Sequence, residues 1–162
     1  MATSAILSIY DALAAVTVSD GVTAIAARDI DDQPNSLTTA NTPVRVLTVI
    51  DPLAGLQRAR SDGAWASSQG SGNYNVAWVL YDVLIHTPLF QTRGVRDLNA
   101  KLITYMANYY DMLAAMDAGD FPAGVITVTA TMQPVVVQYP LNSGHWWYAV
   151  RGMLEIQENI CP

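Results

Sequence analysis

A chain of 162 residues has the size of one ordinary domain and can bury most of the surface its unfolded form exposes, so stability demands neither a metal nor a disulfide. Hydrophobic residues make up 51% and charged residues only 14%, against roughly 25% in an average soluble domain, which implies a charge-poor surface that partner subunits can cover. Fourteen acids against eight bases give a net charge of −6, with Lys101 the single lysine; the basic patch that stable nucleic-acid binding requires is missing, although DNA could pass an acidic wall without sticking.

The N-terminal stretch "MATSAILSIYDALAAVTV" has no basic start and is interrupted by Asp11, and no run approaches the roughly 20 apolar residues of a membrane span. No membrane association is therefore expected, and a soluble compartment is. Thr3 or Ser4 can cap a helix beginning near Ala5, in which Ile6, Ile9, Tyr10, Leu13 and Val16 or Thr17 recur at spacings of three and four and form one apolar stripe. Ser19-Asp20-Gly21 is expected to end it.

A polar linker is expected over about 22–42. Its Asp29, Asp31 and Asp32 lack the glycine and the terminal glutamate that a calcium loop needs. After Pro43, "VRVLTVI" reads as a strand. A long loop or arm follows over about 53–73, rich in Gly, Ser and Ala and carrying Arg58, Arg60 and Trp65. Compact proteins rarely keep such a length without a use for it, so it is expected to project as a hairpin or arm. Its glycines do not form a phosphate-binding motif.

"YNVAWVLYDVLIH" predicts a long strand with Tyr74, Val76, Trp78, Leu80, Asp82 and Leu84 on one face and Ala77, Val79, Tyr81, Val83 and Ile85 on the other. Both faces are largely apolar, which places the strand centrally in its sheet. Asp82 stands among apolar neighbours and would be costly to bury alone; Arg45 and Arg151 are its candidate partners across the sheet.

The segment "VRDLNAKLITYMANYYDMLAAM" carries the clearest helical stripe: Leu98, Leu102, Tyr105, Met106, Tyr109, Leu113 and Met116. Asp97 suits the positive end of its dipole. "VITVTATM" and "PVVVQYP" predict strand structure joined at Gln133-Pro134 by a kink or bulge, because proline cannot donate to an interior ladder. From Trp146 to Gln157 the residues alternate, as in a half-buried antiparallel strand. The sum is one α+β domain: an antiparallel or mixed sheet packed against two helices, with a projecting loop.

Nothing in the sequence assembles a reaction centre or a cofactor site. His86 and His145 fall at strand or turn ends, and neither is spaced to serve Cys161, the sole cysteine. One cysteine also excludes an internal disulfide and a clustered thiolate site. Trp146, Trp147 and Tyr148 have only Arg151 as a basic neighbour, which favours a protein interface over base stacking.

The order of elements resembles the tail terminator, or tail completion, proteins of long-tailed bacteriophages, a family grouped with head-to-tail joining proteins. The resemblance rests on the helix "SAILSIYDALAA", the strands "PVRVLTVI" and "NVAWVLYDVLIH", the helix "VRDLNAKLITYMANYYDMLAAM" and the closing "WWYAVRGMLEIQENI". It implies a non-enzymatic virion protein that forms a ring, usually a homohexamer, at the head-proximal end of the tail, after assembly in the host cytoplasm. Such a ring ends tube growth and contacts the tail tube protein on one face and the neck or connector protein on the other. Viral DNA crosses its opening during ejection. Another neck protein or a tail-tube ring protein is the nearest alternative, and a soluble peptide- or glycan-binding domain a more distant one. Within this reading, Arg58, Arg60, Trp65, Trp147 and Arg151 are candidates for contact between subunits, and Asp29, Asp31 and Asp32 for an axial or lumen surface.

Overall fold

The computed structural model describes residues 4–19, 24–28, 37–49, 61–68, 71–89, 95–116, 118–140 and 143–160. Among the described residues two α-helices, α1 (Ile6–Ala15) and α2 (Val95–Ala115), accompany seven strands. These are β1 (Thr17–Ser19), β2 (Ala24–Arg28), β3 (Val44–Thr48), β4 (Ser61–Ser68), β5 (Ser71–Pro88), β6 (Val125–Gln138) and β7 (Trp146–Ile160). The expected α+β architecture is present: a mixed, curled sheet, a half-barrel, lies against the two helices.

The strand order is β1-β2-β3-β5-β7-β6, with β4 paired to β5 off this path. Every pairing is antiparallel except β2 with β3. β5 is the central strand anticipated from its two apolar faces. On one side it pairs with β7 along nearly its whole length; on the other it takes β4 over residues 71–78 and β3 over residues 81–85.

Two differences from the sequence reading concern short elements, α1 and the linker. α1 stops at Ala15, ahead of Ser19-Asp20-Gly21, and Thr17–Ser19 is already strand. The expected 22–42 linker contains β2, which pairs with β1 and β3. Within the 53–73 loop or arm, β4 forms a hairpin with β5. The tip of this hairpin extends beyond β7, whose last residue, Ile160, lies opposite Tyr74 while the β4–β5 pairing continues to Ser68 and Ser71. The break expected at Gln133-Pro134 is absent, since β6 runs through Pro134; its one irregularity lies between Val125 and Thr127.

The helices cover one face of the sheet. Ile9 and Leu13 of α1 and Tyr109 of α2 meet Leu47, Leu80, Leu154 and Ile156, while Leu98, Leu102 and Tyr105 of α2 meet Leu84 and Val150. The opposite face carries its own apolar cluster, in which Val44, Val46, Val83 and Ile85 pack with Val137, Trp147 and Ala149 beneath Leu37. Gly152 keeps the helix side open where strands crowd: a Cβ there would stand 2.6 Å from Met132 Sδ and 3.2 Å from the carbonyl oxygen of Asp82.

Candidate functional site

The polar groups that the fold brings together lie inside, between the sheet and α1. Arg45 on β3 and Asp82 on β5 occupy helix-facing positions one diagonal step apart, since Arg45 pairs with Leu84 and Leu47 with Asp82. Arg45 Nε donates to Asp82 Oδ2 at 2.7 Å, with both side chains 1% exposed. The Tyr109 hydroxyl donates to the same oxygen at 2.7 Å. The other arms of the guanidinium donate to the carbonyls of Val16 and, at 2.8 Å, Leu13. A cation thus meets the carbonyls left unpaired at the C-terminal end of α1, where the helix dipole is negative.

Burial dominates the proton affinities here. It raises the pKa of Asp82 against the opposing pull of Arg45 and the Tyr109 hydroxyl. It likewise holds Tyr109 well above the ordinary phenol value, with repulsion from Asp82 adding to the rise. The Asp82 carboxylate keeps the Arg45 guanidinium charged despite its burial, and its pKa is raised.

A second buried carboxylate serves the other end of the same helix. Glu158 of β7 accepts from the Ala5 backbone N–H at 2.6 Å, the Ser4 hydroxyl at 2.7 Å and the Trp78 indole N–H at 3.0 Å. Ser4 Oγ in turn accepts from Ile6 N–H at 3.2 Å, but the N-cap is Ala5, not the expected serine, and a glutamate more than 150 residues away holds its N–H. α1 is therefore clamped at its positive end by Glu158 and at its negative end by Arg45.

The Asp82 cluster is tightly closed. Asp82 Oδ1 has no hydrogen-bond partner among the described residues, and the adjoining space measures only about 10 Å³. That leaves no room for a substrate. An open groove of about 670 Å³ runs between the C-terminal halves of the helices, lined by Ala12, Ala15, Val16, Met112 and Met116 among others. Among the described residues there is no group of three His, Cys, Asp or Glu side chains fit to hold a metal, and no helix long and apolar enough to cross a membrane. His86 contacts the neighbouring Thr87 hydroxyl and sits 5.7 Å from the ring of Tyr105, whereas His145 is exposed at a turn.

Of the residues singled out for subunit contact, Trp147 and Arg151 are the two whose side chains are described. Trp147 is 4% exposed, packs in the apolar cluster opposite the helices and donates its indole N–H to the Tyr139 carbonyl at 3.3 Å; its surface is spent within the chain. The neighbouring Trp146 is the exposed one, at 41%. Arg151 is half-buried, its guanidinium 4.9 Å from the centre of the Tyr81 ring, a cation–π distance. It does not take Asp82, which Arg45 holds. Trp65 belongs to β4, whose side chains lie outside the description; Arg58, Arg60, Asp29, Asp31, Asp32 and Cys161 lie outside the described residues altogether.

The Glu158 clamp was missed by sequence reasoning. Carried one residue past Gln157, where the sequence reading stopped, the alternation of β7 puts position 158 on the side of Ile156, and a carboxylate there needs donors as much as Asp82 does. The class defined by these observations is an α+β domain with a mixed half-barrel on two helices and buried charges that fasten one helix to the sheet. The sequence matches no protein-family model and no curated protein.

Proposed function

We propose that this chain is a virion structural protein that joins copies of itself into a ring at the head-proximal end of a phage tail, ending tube growth and linking tail to neck around a channel for DNA. The observation that carries the proposal is the unusual surface. Leu7 (77% exposed), Ile103, Tyr110, Val49, Val136 and Trp146 all lie on the outside of a chain with few charges. Scattered apolar residues are ordinary on a monomer, but aromatic and large aliphatic groups combined with depleted charge are the composition of interface cores.

The architecture supports the same reading. The buried polar groups of the Arg45–Asp82 and Glu158 clusters are engaged in holding α1 to the sheet, so they serve rigidity. The β4–β5 hairpin reaches past the body of the sheet, as an arm between subunits would. The net charge of −6 suits a ring through which DNA slides without adhering. Arg151, with the hairpin and its Trp65, remains the residue set proposed for subunit contact, and Trp146 replaces Trp147 there.

Electron microscopy of phage particles with this protein labelled tests the placement. A single labelled ring at the head-to-tail junction is expected. Many rings along the tail would make the chain a tube protein, and no label on particles would end the virion reading.

A further inference from the structure

We infer that copies of this chain join head to tail through their sheet edges, β4 of one copy adding to the N-terminal half of β6 in the next, so that one antiparallel sheet continues from subunit to subunit. The inference rests on the self-association proposed above.

The argument starts at β6. It pairs with β7, and among the described residues no strand lies beyond it. The backbone N–H of Met132 donates to the Tyr110 hydroxyl of α2 at 3.2 Å, so this N–H points away from β7. In an antiparallel ladder the outward-pointing residues alternate. Val128, Ala130, Pro134 and Val136 share the parity of Met132 and point outward with it, because the register with β7 is unbroken from Thr127 to Gln138. Pro134 therefore costs β6 no bond to β7, which is how a proline is tolerated inside a long edge strand. The middle of the edge is closed to a further strand: Tyr110 occupies one donor and Pro134 lacks the next. The stretch before Met132 carries neither obstacle, and an unobstructed edge is a template for strand addition.

The start of that unobstructed half, Val125 to Val128, lies level with β4. Asp62 pairs with Ala77, Ala77 with Gln157 and Gln157 with Thr127, so one row crosses β4, β5, β7 and β6 in turn. At the level of Pro134 the row instead reaches β3, through Val150 and Leu84 to Arg45. Only where β6 is unobstructed does the sheet end in β4 on its far side, and among the described residues β4 has no strand beyond it either.

Strand direction decides how the two edges can meet. β4 and β7 run opposite to β5, and β6 runs with it. β4 and β6 are thus antiparallel to each other. A copy rotated about an axis along the strands presents its β4 to β6 in the antiparallel sense, and repetition covers both edges of every copy. Such a heterologous contact closes into a ring when the rotation allows it. Pairing β6 with β6 about a two-fold axis would also be antiparallel, but it would leave β4 open.

Engineered cysteines in a Cys161→Ser background test the join. Asp62 and Thr127 stand three strand spacings apart in one copy, roughly 14 Å, beyond the reach of a disulfide, whose Cα atoms lie within about 7 Å. Asp62→Cys with Thr127→Cys, or with Thr129→Cys to allow for stagger, is expected to give a ladder of disulfide-linked multimers on oxidation, while each single-cysteine variant stays unlinked. Dimers from Thr127→Cys alone would overturn the inference in favour of β6–β6 pairing.

Proline substitution supplies a second readout. Ala130→Pro is expected to leave a folded monomer by circular dichroism and native mass spectrometry, with complete loss of the ring. A wild-type ring that persists in Ala130→Pro sinks the edge join alone. A wild-type chain that stays monomeric at the highest concentration sinks the ring reading with it. If Ala130→Pro does not fold, the cysteine pairs decide.

Discussion

Asp82 shows how much one side chain can require of its surroundings. A carboxylate at the centre of a sheet is tolerable only with compensation, and here that compensation is one guanidinium and one phenol, both buried. A buried ion pair adds little stability over a well-packed apolar pair, but breaking it leaves the surviving charge stranded. Asp82→Asn is therefore expected to cost about 3–5 kcal/mol in denaturant unfolding, and pairing Asp82→Leu with Arg45→Met recovers part of that loss. Tyr109 sets an alkaline limit. In the unfolded chain a tyrosine loses its proton near pH 10, while burial and Asp82 make the native phenol hold it longer. Above that pH the native state binds more protons than the unfolded state, so stability falls as pH rises. Unfolding free energies measured from about pH 9 to pH 11 should decline more steeply for wild type than for Tyr109→Phe, and equal slopes would show that this phenol titrates normally.

At the scale of elements, α1 depends on its attachments more than on its own ten residues. A helix this short is marginal in water, and no acidic residue in its first turn or basic residue in its last complements its dipole. The missing charges come from strands: Glu158 from β7 and Arg45 from β3. Glu158→Gln keeps the shape but removes the charge and places an amide among three donors. It should cost about 1–3 kcal/mol, the range for a buried group left without its partner, and perturb Trp78 fluorescence. Thermal unfolding followed at both the far-ultraviolet helix band and the Trp78 emission checks this; a melting temperature unchanged from wild type would show that the clamp contributes nothing. α2 differs, since its stripe of Leu98, Leu102, Tyr105 and Tyr109 supplies its own contact with the sheet.

For the whole molecule, the proposed ring brings together copies that each carry −6. An interface of backbone hydrogen bonds and apolar side chains has to overcome their mutual repulsion, which salt screens. Self-association followed by sedimentation velocity should thus hold or strengthen between about 50 and 500 mM salt, where the Debye length shrinks from over 10 Å to a few ångströms. Dissociation on adding salt would mean that ion pairs hold the subunits together.

Long periodic segments declared themselves in the sequence: the stripes of α1 and α2, the two apolar faces of β5 and the alternation of β7 are local patterns, and each repeats often enough to fix an element and its buried side. The need of Asp82 for an arginine was equally local, because the cost of burying a lone carboxylate does not depend on topology. β1, β2 and β4 are built mostly of small and polar residues and lack the β-branched run by which the equally short β3 was read, so they emerged only from pairing with their neighbouring strands. The same holds for the choice of Arg45 over Arg151, the burial of Trp147 beside an exposed Trp146 and the grip of Glu158 on α1. These depend on which strands become neighbours and in what register, and that is decided by long-range contacts that no short stretch of residues encodes.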